Sequence, residues 1–567
     1  MTQTIGLTEY LFARLKQLGV GAIHGLPGDF NLTLLDFVEP SGLTWVGNAN
    51  ELNAGYAADG YARIKGLGAL ITTFGVGELS AINAIAGAYA ERVPVVHIVG
   101  VPSRELQDSR AMVHHTFNDG DFGRFALMAA HVTVGQEKLW DPRDAPQQID
   151  SVLRKCLVHS RPVYIEIPVD MVDAQVSREN LNIPVTSGNV LPGAGQATAL
   201  EKVLQKMASA KQPVILVDGE TRSLGIVDEV RALVNKTGWP TWTTGFGKSI
   251  IDETLPNFHG LYRGGFASPE AREFFEGSDL VLFFGAHPST TNSFHLSALP
   301  SKEKSIWFKD TNVLLGSEIV RDVPMKALMT ELLKQLEASK FTVYETYPSQ
   351  IPTDTILSFD GLPRDQPVTQ DRLWKVLANF IRPGDIVMGE TGTPGYGVRE
   401  FKLPENARMV TFSTWLSIGY MLPAAQGAAL AQRELQKDKQ GRTILLIGDG
   451  SFQLTAQEIA TMVRQNLDIV IFLFNNDGYT IERCIHGANQ GYNDVSPWRY
   501  LQAASFFGAP EDSYTKRVKT WGDLEETLGD KVLSDGRGIR MAEIILDRDD
   551  APEGPLKVLM SKQKPGI

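Results

Sequence analysis

Short apolar, β-branched runs alternate with longer amphipathic stretches in three separate parts of this chain. Such alternation is the pattern of strands and helices taking turns in a parallel sheet. In the first part, strands are expected at 21–24, 44–46, 69–73, 95–99 and 163–167, with the clearest helices at 52–64 and 80–91. A stretch at 183–195 bearing Pro, Gly and Ser reads as a linker. The second part has candidate strands at 214–217, 241–243, 280–284 and 306–308, followed by a longer linker at 339–370 with four prolines. The third has them at 386–388, 409–412, 443–447, 469–474 and 541–546. The expected fold class is α/β, with three doubly wound parallel-sheet domains at 1–182, 196–338 and 371–567. The first and third share a rhythm, and Gly28-Asp29 faintly echoes a later Gly-Asp-Gly, a weak repeat.

One unit carries more than alternation. The apolar run at 443–447 is followed at once by Gly448-Asp449-Gly450, and the run at 469–474 ends in Asn475-Asn476. Thr455 and Glu458 fit a capping box, so a helix is expected from there towards Asn466. Both turns would lie at the carboxyl edge of one sheet, where open α/β sheets bind ligands. Asp449 offers a carboxylate, Asn476 an amide oxygen, and the following turn a main-chain carbonyl, all hard oxygen ligands suited to Mg²⁺. Gly448 and Gly450 leave backbone N–H groups open to a phosphate. The spacing, with 24 residues between Gly-Asp-Gly and Asn-Asn, resembles the diphosphate-binding signature of thiamine diphosphate enzymes.

Composition excludes several classes. A net charge of −12 and a pI near 5.4 argue against a nucleic-acid partner. Two cysteines make no disulfide framework. No apolar run reaches the length of a membrane span, the N-terminal stretch reads as an amphipathic helix rather than a signal peptide, and the C-terminal Lys-Pro-Gly-Ile carries no address, so a cytoplasmic protein is expected. Gly245-Phe-Gly-Lys-Ser249 imitates the end of a phosphate loop, but Trp242 stands where the first glycine belongs. Gly75-Val-Gly77 lacks the third glycine of a dinucleotide fingerprint.

In the first part, Asp29 follows a candidate strand in Gly25-Leu-Pro-Gly-Asp29, where a turn aspartate or helix cap is the ordinary reading. Glu51 stands at a helix start, where a glutamate suits the macrodipole. His114-His115 lies in a polar loop, and no further metal ligand is spaced for it along the chain. Together with HGLPGDFNLTLLD at 24–36, NELNAGYAADGYARIKG at 50–66, TTFGVGELSAINAIAGAYAE at 72–91, ETGT at 390–393, WLSIGY at 415–420, GDGSFQLTAQE at 448–458 and NNDGYTIE at 475–482, these residues form a collinear set. The chain resembles, over essentially its whole length, the thiamine diphosphate-dependent 2-oxo acid decarboxylases, most closely the fungal-type pyruvate decarboxylase branch.

The resemblance implies, in order, a pyrimidine-binding, a central and a diphosphate-binding domain, with thiamine diphosphate and Mg²⁺ as cofactors. It implies non-oxidative decarboxylation of a 2-oxo acid to an aldehyde and CO₂ through a thiamine C2 carbanion and an enamine. Glu51 would act on the pyrimidine nitrogen with Thr73 in support. The Leu416 carbonyl would hold the exocyclic nitrogen, and Ile418 would wedge the bent cofactor. Thr391, Thr393, Gly450 and Ser451 would contact the diphosphate, while Asp449, Asn476 and the Gly478 carbonyl would hold the metal. Asp29, His114, His115 and Glu482 would form the acid–base relay, and like charge and desolvation should raise the pKa of Asp29 or Glu482. It also implies a homodimer with shared active sites, the first segment of one chain facing the third of the other, and two such dimers in a tetramer.

The chain departs from its pyruvate-selective relatives around the expected substrate pocket of Ser289, Thr290, Gly395, Ile481 and Ile485. The segment at 285–293 carries no aromatic ring other than the imidazole of His287, and Gly395 stands where some members place a bulky ring. Either the space admits a longer or branched 2-oxo acid, or His287 or Phe294 fills it and pyruvate is the substrate. Two alternatives share the layout: a carboligase of the acetolactate synthase type, which bound flavin would mark, and a catalytically silent regulatory homologue, which CO₂ release would exclude.

Overall fold

The computed structural model describes residues 4–186, 191–336, 341–344, 351–435 and 441–562. The linkers expected at 183–195 and 339–370 fall partly outside these residues, and the C-terminal Lys-Pro-Gly-Ile wholly so.

Three sheets dominate. The first contains, in chain order, Ala22–Gly25, Thr44–Trp45, Gly68–Thr73, Val95–Val101, Gln136–Lys138 and Val163–Pro168. The third contains Ile386–Gly389, Arg408–Thr411, Thr443–Gly448, Ile469–Asn475, Thr515–Val518 and Ile539–Ile545. Both are parallel throughout, and numbering strands within each sheet gives one spatial order, 2-1-3-4-6-5, for both. The faint repeat in sequence is thus a full repeat in topology. The inner strands are buried along their length, which is why they read as unbroken apolar runs rather than alternating ones.

The central sheet has seven strands in the order 3-2-1-4-5-6-7. Its first five are parallel, but Asn312–Leu315 and Glu318–Arg321 continue antiparallel from Ser305–Lys309. This antiparallel edge adds two strands that the sequence reading did not include to the expected parallel sheet. The turns there are two residues long, with Asp310 and Gly316 at positive φ, and a connection that short can only make a hairpin. The outermost strand is largely exposed, so it carries no apolar run for a sequence reading to find.

A correction concerns the unit after Gly448. The helix begins at the aspartate, Asp449–Thr455, and continues through a 3₁₀ turn, Ala456–Glu458, into Ile459–Arg464. Thr455 and Glu458 do not cap it. The Thr455 hydroxyl donates to the Gly419 carbonyl at 2.7 Å, and the buried Glu458 carboxylate accepts from Asn48 Nδ2 at 2.7 Å and from the Ala49 amide at 3.3 Å. The pair that imitates a capping box is engaged by tertiary contacts, Thr455 within the third segment and Glu458 across to the first.

Those segments also meet through helices Glu51–Lys65 and Met421–Leu435. A Cβ on Gly60 would sit 2.1 Å from the Ala424 carbonyl oxygen, and one on Gly427 1.9 Å from that of Ala57. Only glycine permits so close an approach, and buried alanines line the rest of the contact. The first helix is capped by Asn50, whose side chain accepts from the Asn53 amide at 2.8 Å, which fixes Glu51 in its first turn.

Candidate active site

Two turns at the carboxyl edge of the third sheet come together as expected. Asp449 is buried at the end of its strand, with Oδ1 accepting from the Gly450 amide at 2.8 Å and Oδ2 from the Gly478 amide at 2.9 Å. Burial pushes its carboxyl up to about 6, against the pull of those two amides. One terminal amide atom of Asn476 lies 3.0 Å from the Gly478 carbonyl oxygen and 3.1 Å from Asp449 Oδ1, facing acceptors alone. With nitrogen in that place, the side chain donates to both. With the amide turned, its oxygen joins the Asp449 carboxylate and the Gly478 carbonyl as the hard oxygen donors that Mg²⁺ prefers. The donor set therefore fits Mg²⁺.

One cavity at this edge is lined by eleven of the residues singled out from the sequence: Thr391, Thr393, Ile418, Gly448, Asp449, Gly450, Ser451, Asn476, Gly478, Ile481 and Glu482. The Thr391 hydroxyl is buried without a hydrogen-bond partner, an orphan of the kind a phosphate oxygen would satisfy. A Cβ on Gly448 would meet nothing within 4 Å, so packing alone does not require glycine there. Burial raises the Glu482 carboxyl above its ordinary range. Leu416 precedes the cavity at φ 54, a strained turn that re-aims its carbonyl.

The first sheet builds a separate cluster at its own carboxyl edge. Asp29 Oδ2 and His114 Nε2 are hydrogen-bonded at 2.6 Å, and the His114 and His115 rings lie 4.6 Å apart, edge to face. Ligating atoms of these three residues fall within 4.8 Å of one another, so the third group that local spacing does not offer comes from far upstream. Phe30 packs on His114, and both Phe30 and Phe74 pack near His115. Glu51 and Thr73 lie together across Gly77, where an added Cβ would be 3.1 Å from Glu51 Oε1 and 3.0 Å from Thr73 Cγ2. The Thr73 hydroxyl is a second buried orphan. None of Asp29, Glu51, Thr73, His114 or His115 lines the cavity of the third sheet.

Ser289, Thr290, Gly395 and Ile485 also lie outside that cavity's lining. The Ser289 hydroxyl donates to the Ser413 carbonyl at 3.0 Å, Thr290 is exposed, and Ile485 is 62 % exposed. A Cβ on Gly395 would come within 2.8 Å of the Glu390 carbonyl oxygen, so backbone packing is itself a reason for glycine there. The two rings that might close the space are held elsewhere. His287 bonds Glu220 through Nδ1 at 2.9 Å and Thr414 through Nε2 at 2.8 Å, and Phe294 is buried beside Phe266.

Sequence reasoning missed Glu390, the first residue of the ETGT motif. Its buried carboxylate accepts from the Thr391 amide at 2.7 Å and the Met421 amide at 2.8 Å, tying the cavity wall to the turn that carries Leu416 and Ile418. Burial pushes it up to about 7. Its signal was a lone acid at the end of a buried apolar strand. The imitation phosphate loop is closed off by structure: Lys248 is buried in an ion pair with Glu253 at 3.0 Å.

Three family profiles match the chain: the N-terminal binding domain of thiamine pyrophosphate enzymes over residues 5–122, their central domain over 200–336, and their C-terminal binding domain over 390–538. The chain is 52 % identical to a pyruvate decarboxylase of Aspergillus parasiticus, covering 97 % of this chain and 96 % of that one. It is 40 % identical to pyruvate decarboxylase isozyme 1 of Saccharomyces cerevisiae, covering 97 % of each. In fold it resembles a thiamine diphosphate-dependent 4-hydroxybenzoylformate decarboxylase of Rhodococcus jostii, with a TM-score of 0.75 at 18 % identity over 96 % of this chain and 99 % of that one. The chain belongs to the thiamine pyrophosphate enzymes, in their fungal pyruvate decarboxylase-like branch.

Proposed function

We propose that the protein decarboxylates a 2-oxo acid to an aldehyde and CO₂, using thiamine diphosphate and Mg²⁺. The observation that carries this reading is the convergence of Asp449, Asn476 and the Gly478 carbonyl at one edge of a cavity whose wall holds an orphaned threonine hydroxyl. When bound, thiamine diphosphate supplies the electron sink for the bond to the departing carboxylate. Asp449, Asn476 and Gly478 would hold the metal; Thr391, Thr393, Gly450 and Ser451 would hold the diphosphate. Ile418 presents an apolar surface to the thiamine, and the Leu416 carbonyl and Glu51 fix its pyrimidine. The Asp29–His114 pair moves protons, with His115 beside it. Glu482, its pKa raised by burial, holds a proton more readily than a free carboxyl and is placed to offer it at the substrate carboxylate.

Because the Glu51 cluster lies outside the cavity's lining, the complete site is proposed to form between two copies of the chain, the first segment of one facing the third segment of the other. Two such dimers would give a tetramer, which light scattering tests. No helix among the described residues is long and apolar enough to cross a membrane. The proposed location is the cytoplasm.

Proton and metal compete for the Asp449 carboxylate. Its pKa near 6 leaves it free above that pH, and each unit of acid below it should weaken metal retention by about tenfold. Equilibrium dialysis of holoprotein from about pH 8 to about pH 5 measures this. Retention that stays flat to the acid end would contradict the assignment.

A panel of 2-oxo acids read by aldehyde formation tests the activity itself; no CO₂ from any member would end this reading. With His287 and Phe294 both anchored, 4-methyl-2-oxopentanoate and phenylpyruvate are expected to show kcat/KM at least comparable to pyruvate. Each extra methylene that finds apolar surface contributes about 0.8 kcal/mol. Ile481→Phe, at a residue that lines the cavity beside Glu482, should penalise only the large acids. A preference of several hundredfold for pyruvate, indifferent to that substitution, would show the pocket is closed by other groups.

A further inference from the structure

A cavity of about 400 Å³ opens where all three segments meet, lined by residues distinct from both clusters described above. Five arginines line it: Arg63 and Arg92 from the first segment, Arg222 and Arg231 from the central one, and Arg408 from the third. Glu91 is the one carboxylate in its lining. Arg63 is neutralised by Asp59 at 2.6 Å and Glu91 at 3.1 Å. Arg92 reaches Glu220 and Asp310 at 3.5 Å, while its Nε is buried without a partner.

The other three have only neutral partners. Arg222 donates to the Phe246 and Lys248 carbonyls at 2.7 and 2.8 Å, Arg231 to the Ile250 carbonyl at 2.6 Å, and Arg408 to the Ile64 carbonyl at 3.4 Å. Among the described residues, no carboxylate forms an ion pair with any of them. All three are exposed residues, so the donors they do not spend on carbonyls stay open to a ligand in the cavity. Desolvation by the cavity's walls, then the charge of Arg63, with Arg231 and Arg408 adding to it, outweighs the opposing pull of the Asp218 carboxylate and pushes Arg222 down to about 10. In a chain of net charge −12, so many positive groups around one solvent-filled space form a local field that favours an anion.

We propose that this cavity binds a phosphate-bearing dianion, which bridges Arg222 and Arg231 of the central segment to Arg408 of the third and clamps the segments together. Guanidinium forks match phosphate oxygens bidentately, and five donors per side chain leave several free beyond the carbonyl bonds already made. The volume exceeds what one phosphate fills, so a phosphate ester fits as well as the free ion.

The test uses holoprotein saturated with thiamine diphosphate and Mg²⁺, so that the catalytic diphosphate site is filled. Equilibrium dialysis against radiolabelled inorganic phosphate, and in a second arm ADP, should show one saturable site per chain. Tighter binding of ADP identifies an ester as the occupant; phosphate binding alone identifies the free ion. Arg408→Gln and Arg231→Gln should each weaken the bound probe by about tenfold or more, as loss of a charge-assisted bond requires. Arg537→Gln, at an exposed arginine outside the cavity, should leave binding unchanged. Wild-type Tm should rise with the probe, and that of Arg408→Gln should not. No saturable binding of either probe to wild-type holoprotein would overturn the proposal. So would binding that both cavity variants retain in full.

Discussion

Glu51→Gln is expected to keep thiamine diphosphate bound while turnover falls by roughly 10²–10⁴-fold, the range that positioned proton transfer contributes. Glutamine matches glutamate in size and suits the first turn of Glu51–Lys65, which Asn50 continues to cap. The packing against Thr73 and Gly77 is therefore preserved, and only the acceptor for a proton is lost. Cofactor binding by equilibrium dialysis and aldehyde release by a coupled assay separate the two effects. A variant retaining more than about a tenth of wild-type kcat would remove Glu51 from the chemistry.

Asp449→Ala should do the opposite, losing cofactor and metal together. Outer groups that merely support a metal ligand are worth 10–100-fold in affinity, so removing a ligand itself should cost about a hundredfold or more. The loss is specific rather than a failure to fold. In apo-protein the buried Asp449 carboxyl has a folded pKa near 6, above its unfolded value, so its stabilising effect is present in acid and is lost as pH rises through 6. At neutral pH its removal should leave the Tm of apo-protein unchanged or slightly raised, while gel-filtered protein carries no cofactor. Full retention of thiamine diphosphate by the variant would show that other groups hold the diphosphate.

The sheets were legible because their inner strands are buried on both faces and announce themselves as continuous apolar runs. Two edge strands, Thr44–Trp45 and Arg408–Thr411, were legible as well. Gln136–Lys138, Thr515–Val518 and Glu318–Arg321 were not, being short, polar and at least partly exposed over most of their length, so that only their neighbours make them strands. The convergence of Asp449, Asn476 and Gly478 at one sheet edge was legible residue by residue, since they stand at strand ends that the apolar runs locate. Thr455 and Glu458 misled because their side chains are claimed by Gly419 and Asn48 across the fold. The anchoring of His287 by Glu220 and Thr414 was equally invisible, because both partners are remote in sequence.

The central claim is that the Glu51 cluster and the Asp449 cavity belong to one site assembled from two chains. Mixing Glu51→Gln and Asp449→Ala chains in equal amounts under refolding tests it most directly. Random pairing makes about half of the dimers hybrid, and each hybrid then holds one intact site and one doubly damaged one. Two nearly inactive parents should therefore yield about a quarter of wild-type activity. Recovery no greater than the parents' own, with hybrid dimers demonstrated by differential tags, would contradict a shared site.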